Sequence, residues 1–151
     1  MRSRKGKLER AIIKPEKEIL DRALNVVTEW SGLKPMDILG RRRFQQIVDA
    51  RHFWWMLCLR TGEFTLSRLG ELVGRDHGSV IHARGRHENM LEVGQQISAD
   101  LARANYRKKY NNGTVRYSES WEHLVTEYSK AKLLDTEKGR THDEEHTHSL
   151  V

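Results

Sequence analysis

Apolar residues return every three or four positions through most of this chain, and runs alternating polar with apolar are scarce. The elements this pattern predicts are therefore helices. Ile19, Leu20, Ala23, Leu24, Val27 and Trp30 mark an amphipathic helix that Pro15 can open and Ser31-Gly32 can close. Pro35-Met36-Asp37-Ile38-Leu39 predicts a second, very short helix. Residues 44–60 predict a long one, and Phe53-Trp54-Trp55-Met56-Leu57-Cys58-Leu59 is apolar all round, so it should be buried on several sides. Leu66, Leu69, Leu72 and Val73 give a short helix one apolar side, with Thr65 placed to cap it. Gly74 ends that helix, because glycine takes the left-handed conformation a helix end often needs. Asp76 then suits the next N-cap, where its carboxylate also meets the positive end of the helix dipole.

The helix after Asp76 has two unlike faces. Val80, Ala83, His87, Met90 and Leu91 fall on one; Gly78, Ser79, His82 and Arg86 fall on the other, which is small, polar and basic. Two short helices joined by a tight glycine-containing turn form a helix-turn-helix pattern, and such an outer face suits a helix entering the major groove of DNA. The spacing of Ile97, Leu101 and Ala104 predicts that residues 92–111 continue as a helix with a basic end at Arg103, Arg107, Lys108 and Lys109, followed by a turn at Asn111-Asn112-Gly113. Trp121, Leu124, Val125 and Tyr128 recur at helical spacing within 117–134, and this helix is expected to fold back over the Trp54-Trp55 helix. The fold class is all-α, a helical bundle containing a helix-turn-helix. The expected organisation is a disordered basic arm over 1–14, the DNA-binding domain over 15–111, an additional amphipathic helix over 112–135 and a disordered polar tail over 136–151.

Gly74-Arg75-Asp76-His77-Gly78-Ser79-Val80-Ile81-His82-Ala83 resembles the signature of the C-terminal DNA-binding domain of the bacterial replication initiator DnaA, a fold of the Trp-repressor-like kind. Arg41-Arg42-Arg43, Ile47-Val48-Asp49-Ala50-Arg51 and Leu66-Ser67-Arg68-Leu69-Gly70 stand in that family's order and nearly its spacing, so the resemblance runs from about residue 19 to about residue 92. It implies double-stranded DNA as the partner. Arg41 and Arg42 would meet the DNA backbone and Arg43 would enter the minor groove, where negative potential is focused. Arg51 and His52 would contact phosphate, Thr65 and Ser67 would seat the first helix of the motif, and Arg75 would add electrostatic affinity. Asp76, His77 and Ser79 would read base edges, and His82 would touch the backbone. The chain also departs from the family. His52 stands where a glutamine or similar residue is usual, Leu59 where a basic residue is often found, and Gly78-Ser79 where a threonine pair is typical. Threonine can touch a thymine methyl group and glycine cannot, so Gly78 puts the usual DnaA box in question. Gly78 and Gly85 share one face and would let the backbone approach the groove. His87 falls inward where an aliphatic residue is usual, and needs a hydrogen-bond partner there, expected from the C-terminal extension.

Composition adds a few limits. In 151 residues, 27 Lys and Arg outweigh 21 Asp and Glu, for a formal net charge of +6. That balance suits a polyanion. Most of the N-terminal arm's charge is positive: Arg2, Arg4, Lys5, Lys7, Arg10 and Lys14 stand against Glu9 alone. Cys58 is the single cysteine and reads as a core residue, consistent with a reducing cytoplasm. No signal peptide or membrane-spanning run is evident. No G-x-x-x-x-G-K-[ST] loop is present, so no ATPase is expected, and no cofactor is implied. His142, His146 and His148 fit no well-defined metal spacing. A nuclease using Asp76 and His77 would need a carboxylate cluster for metal, and none is visible beside them. The expectation is a non-enzymatic, cytoplasmic, nucleoid-associated protein that binds double-stranded DNA sequence-specifically, as a monomer on its site. It would regulate replication initiation or transcription, with a replication protein as a further partner. Two other readings stay open: a protein–protein adaptor using the C-terminal helix, and a non-specific DNA-binding protein.

Overall fold

The computed structural model describes residues 11–94, 96–98 and 114–150, with side chains described over 11–94 and 115–137. Six helices and one short ribbon follow in order: α1 (Lys14–Ser31), α2 (Pro35–Leu39), α3 (Gln45–Arg60), α4 (Leu66–Val73), α5 (His77–Glu92), β1 (Gln96–Ser98), β2 (Thr114–Arg116) and α6 (Tyr117–Leu150). The basic arm at 1–10 lies outside the described residues.

Helix α3 is the axis of the bundle, as its all-round apolar sequence requires. Ala50, Phe53 and Cys58 are fully enclosed, and Trp54, Trp55, Met56 and Leu57 nearly so. Burying side chains of this size contributes about 1.5–3 kcal/mol each. The Trp54 indole donates to the Leu20 carbonyl at 3.1 Å, fastening α3 to α1. Helix α1 is fastened to α4 by charge. Its Glu16 carboxylate accepts from the Ile13 N–H at 3.1 Å and takes two bonds from the Arg68 guanidinium, at 2.7 and 2.8 Å. Arg68 also pairs with Glu71 on its own helix and donates to the Ala11 carbonyl.

The connection from α4 to α5 is a tight turn. Gly74 has φ +71°, a conformation other residues rarely adopt, and the Arg75 N–H bonds the Gly70 carbonyl at 2.9 Å. A Cβ on Gly70 would lie 2.9 Å from the Arg75 carbonyl oxygen, so only glycine lets the turn close onto α4. Thr65 caps α4 by accepting from the Arg68 N–H at 3.0 Å, and Asp76 caps α5 by accepting from the Ser79 N–H at 2.8 Å.

After α5 the chain departs from expectation. The helix predicted over 92–111 does not run on from α5: Val93 caps α5, Gly94 turns left-handed at φ +66°, and Gln96–Ser98 is a strand. It pairs antiparallel with Thr114–Arg116, placing Ile97 opposite the fully buried Val115. At Ile97 the β-branched pair and the Gly94 stop outweigh the helical spacing. Leu101, Ala104, the basic cluster Arg103, Arg107, Lys108 and Lys109, and the turn at 111–113 lie outside the described residues.

Helix α6 packs back onto the bundle. Tyr117, Ser120, Leu124 and Tyr128 are buried. Its first turns cover Phe53, with the Tyr117 and Phe53 rings stacked at 4.5 Å. Its middle lies on α1, where Arg22 donates to the Tyr128 hydroxyl at 3.2 Å and to Asp135 at 2.9 Å. The expected disordered tail from residue 136 is instead helical backbone as far as Leu150. Between Tyr117 and Leu150 there is no proline and Gly139 is the one glycine, so no strong helix breaker interrupts the run. The side chains of His142, His146 and His148 lie outside the described part.

Candidate nucleic-acid interface

The short helix α2 ends in the basic loop Gly40-Arg41-Arg42-Arg43-Phe44, which lies against the turn between α4 and α5. A Cβ on Gly40 would meet the Met36 carbonyl oxygen at 2.9 Å, so this helix end too requires glycine. Between loop, turn, α3 and α5 opens a cleft of about 750 Å³. Nine of the residues singled out from sequence line it: Arg41, Arg43, Arg51, His52, Arg75, Asp76, Gly78, Ser79 and His82. Arg42, Thr65, Ser67 and His77 are exposed but outside it.

Three of the arginines are held by backbone carbonyls. Arg51, only 6% exposed, donates to the Ile38 and Asp37 carbonyls at 2.8 and 3.1 Å, so α3 grips the end of α2. Arg75 donates to the Gly40 carbonyl, and its guanidinium lies 6.0 Å from the Trp55 ring centre. Arg41 reaches the other way, to the Gly74 carbonyl at 3.4 Å. A guanidinium carries five N–H donors; these bonds use two in Arg51 and one each in Arg75 and Arg41. Burial and the neighbouring Arg75, Arg41 and Arg43 charges push the Arg51 pKa down, and burial followed by Arg41 lowers that of Arg75. Carbonyls hold these cations without cancelling their charge, so the cleft keeps a positive field that an anion would relieve.

Arg86 behaves differently. The helical spacing placed it on the outer face of α5, but it turns sideways onto α3, donating to Asp49 Oδ1 at 2.7 Å and to His52 Nδ1 at 3.2 Å. Asp49 is nearly enclosed and also accepts from Gln45 at 3.0 Å; burial raises its pKa against the opposing pull of Arg86. Because arginine can only donate, His52 Nδ1 must accept, and the proton of the neutral ring sits on Nε2. Burial first, then the Arg86 charge, lowers the His52 pKa to about 4. His52 is therefore neutral at pH 7 and could offer a phosphate only an N–H donor, not an imidazolium.

Along α5 the inner positions Val80, Ala83, His87 and Met90 are buried, whereas Leu91 is half-buried. His87 finds its partner in the C-terminal extension: its Nδ1 lies 2.6 Å from the Tyr117 hydroxyl, with Phe53 and Trp121 packed edge-to-face on the ring. Burial lowers its pKa to about 4. On the outer face, Gly78 and Gly85 are exposed; a Cβ at Gly85 would meet nothing within 4 Å, and one at Gly78 would come 3.3 Å from Asp76 Oδ1. Thr65 and Asp76 each spend one acceptor on a cap, which leaves the Thr65 hydroxyl proton and Asp76 Oδ2 for other partners.

Sequence reasoning missed Trp55 and Gln45 as parts of this cleft, and the buried Asp49 that pairs with its Arg86. Asp49 was the available signal: an acid between apolar neighbours in a buried helix demands a cation.

Residues 20–86 match the family model for the bacterial DnaA protein helix-turn-helix. This stretch is similar to the DnaA-type helix-turn-helix. Among curated proteins, the chain is 38% identical over 73 residues to the chromosomal replication initiator protein DnaA of Mycoplasma capricolum, covering 48% of this chain and 16% of that protein. It is 29% identical over 83 residues to DnaA of Bacteroides thetaiotaomicron, covering 54% of this chain and 18% of that one. DnaA of Lacticaseibacillus casei is similar at 29% over 79 residues, covering 52% and 18%. The chain thus spans under a fifth of the length of these relatives. No solved structure gives a significant match. The matched DnaA-type segment includes the basic loop, α3, the turn and most of α5, and excludes α6. Among the described residues, no helix is long and apolar enough to cross a membrane and no group of three or more His, Cys, Asp or Glu is placed to hold a metal.

Proposed function

We propose that this protein binds double-stranded DNA sequence-specifically through the cleft face, reading both grooves. The observation that carries this reading is the set of arginines gathered beside the N-terminus of α5 and anchored on carbonyls, so that their charge stays available. The N-terminal turns of α5 enter the major groove, where Asp76, His77 and Ser79 meet base edges. Arg43 enters the adjacent minor groove. Arg42, His52, Thr65, Ser67 and His82 touch the sugar-phosphate backbone, and Arg41, Arg51 and Arg75 lend it charge while holding the loop. Gly78, with no side chain for a thymine methyl, directs the protein to a site different from the usual DnaA box. One such domain occupies its site as a monomer. In the cell the protein acts on the nucleoid in the cytoplasm, regulating replication initiation or transcription by occupying sites without hydrolysing ATP.

The test is selection from random duplex DNA by the purified chain at two salt concentrations. A recovered motif, with affinity falling steeply as salt rises, supports the reading. Equal retention of all sequences replaces it with non-specific coating, and no retention at either salt ends it. The adaptor reading is weakened by α6, whose Tyr117, Leu124 and Tyr128 are spent on this chain's own core.

A further inference from the structure

The basic loop and the helix-turn-helix turn hold each other from both sides. Arg75 of the turn donates to the Gly40 carbonyl of the loop, and Arg41 of the loop donates to the Gly74 carbonyl of the turn. The near end of the loop is fixed as well, since Arg51 grips the Asp37 and Ile38 carbonyls of α2 and Ile38 is fully buried. We propose that Arg75 and Arg41 form a reciprocal latch that sets the distance between the minor-groove arginine and the recognition helix, making them positioning residues for the spacing of the two halves of the DNA site. This deepens the DNA-binding reading and rests on it.

The physical case turns on reach. One base-pair step moves a target by about 3.4 Å along the helix axis and, at about 10 base pairs per turn, rotates it by about 36°. A free five-residue loop carrying a long arginine at Arg43 could follow such a shift. A loop tied at Gly40 and Arg41 to the turn that aims α5 cannot follow it without breaking the ties. Arg75 suits the task because its guanidinium is restrained twice, at the Gly40 carbonyl and 6.0 Å from the Trp55 ring centre. A lysine there would keep the charge and lose the planar fork. A purely electrostatic role for Arg75 makes the opposite prediction: charge alone would matter and spacing would not.

The experiment begins from the motif recovered by selection with the full chain, and measures affinity for that duplex and for duplexes with one base pair inserted or deleted between its two parts. The wild-type chain should lose at least about tenfold on either change. Arg75→Lys should keep the salt dependence of the wild type while its spacing penalty shrinks to under about threefold. Arg41→Lys should shift it in the same direction. Thermal melting first establishes that each variant is folded; if Arg75→Lys is not, Arg41→Lys with Arg75 intact carries the test. Undiminished spacing penalties in the folded variants overturn the latch and leave both residues as phosphate contacts, with DNA binding itself intact. A wild-type chain that recovers no motif overturns the underlying reading instead.

Discussion

Among the described residues, the hydrogen-bonded arginines fall into two main populations. On the side of α1, α4 and α6, Arg68 is bonded to Glu16 and Glu71, and Arg22 to Asp135. Around the cleft, Arg41, Arg51 and Arg75 are bonded to carbonyls of Gly74, Ile38, Asp37 and Gly40. Both arrangements order long side chains, but only the first neutralises them. Carboxylate partners turn arginine into mortar between helices. Carbonyl partners fix its position and leave its charge for something else. Arg86 stands at the border, lining the cleft while paired with buried Asp49.

The largest effect should come from breaking the mortar. Arg68→Ala leaves Glu16 and Glu71 without their shared cation at a site where the arginine is 8% exposed. Removing a charged partner from part-buried hydrogen bonds of this kind costs about 1.5–3 kcal/mol. Urea denaturation should show a loss of that order, while the folded variant at low temperature binds the selected duplex within about twofold of wild type. A binding loss with unchanged stability would erase the distinction between the two populations.

Acid probes the same comparison through the two buried histidines. His87 and His52 are neutral in the fold, with pKa values lowered to about 4 by burial, joined for His52 by the Arg86 charge. An unfolded histidine titrates near 6.5. Between about pH 6.5 and 4 the unfolded chain takes up protons the fold refuses, so stability is fully present above the higher value and drains as pH falls toward the lower one. Each residue can contribute up to about 3 kcal/mol to that loss. Denaturation midpoints at pH 7.5 and 5 should differ clearly in the wild type and less in His87→Phe, which has nothing to protonate beside Tyr117. An equal pH dependence in the two proteins would mean that His87 takes up its proton in the fold as readily as in the unfolded chain.

Arg43→Ala tests the opposite population. It should weaken binding to the selected duplex by about 1–3 kcal/mol, with no change in melting temperature, because Arg43 is exposed and lies in a loop. A fall in stability with unaltered affinity would move Arg43 to the mortar.

These two populations differ in how far the sequence reveals them. The caps at Thr65 and Asp76, the Gly74 turn and the inner face of α5 follow from local rules of spacing and hydrogen bonding, and the chain obeys them. So does the need of His87 for a partner, although only the fold names Tyr117. The role of each arginine was not legible, because it depends on what the tertiary structure brings near. Arg41-Arg42-Arg43 reads as uniform positive charge, yet Arg41 is tied to a carbonyl 33 residues away. Arg86 follows the outer-face periodicity of α5 but is pulled aside by Asp49, a residue 37 positions earlier. Strand β1 was hidden for a similar reason: Gln96–Ser98 becomes a strand only because Thr114–Arg116 lies beside it.

The smallest expected effect separates stability from recognition on α5 itself. At Gly85 a Cβ would meet nothing within 4 Å, so Gly85→Ala should stabilise the helix by roughly 0.5–1 kcal/mol and raise the melting temperature. At Gly78 the added Cβ would sit 3.3 Å from Asp76 Oδ1, the atom that caps the helix, so the same substitution there should gain less or nothing. If the backbone of α5 lies close in the groove, both alanines should weaken binding to the selected duplex although one stabilises the fold. Unchanged affinity in Gly85→Ala would place that position clear of the DNA and confine close approach to the first turn, at Gly78.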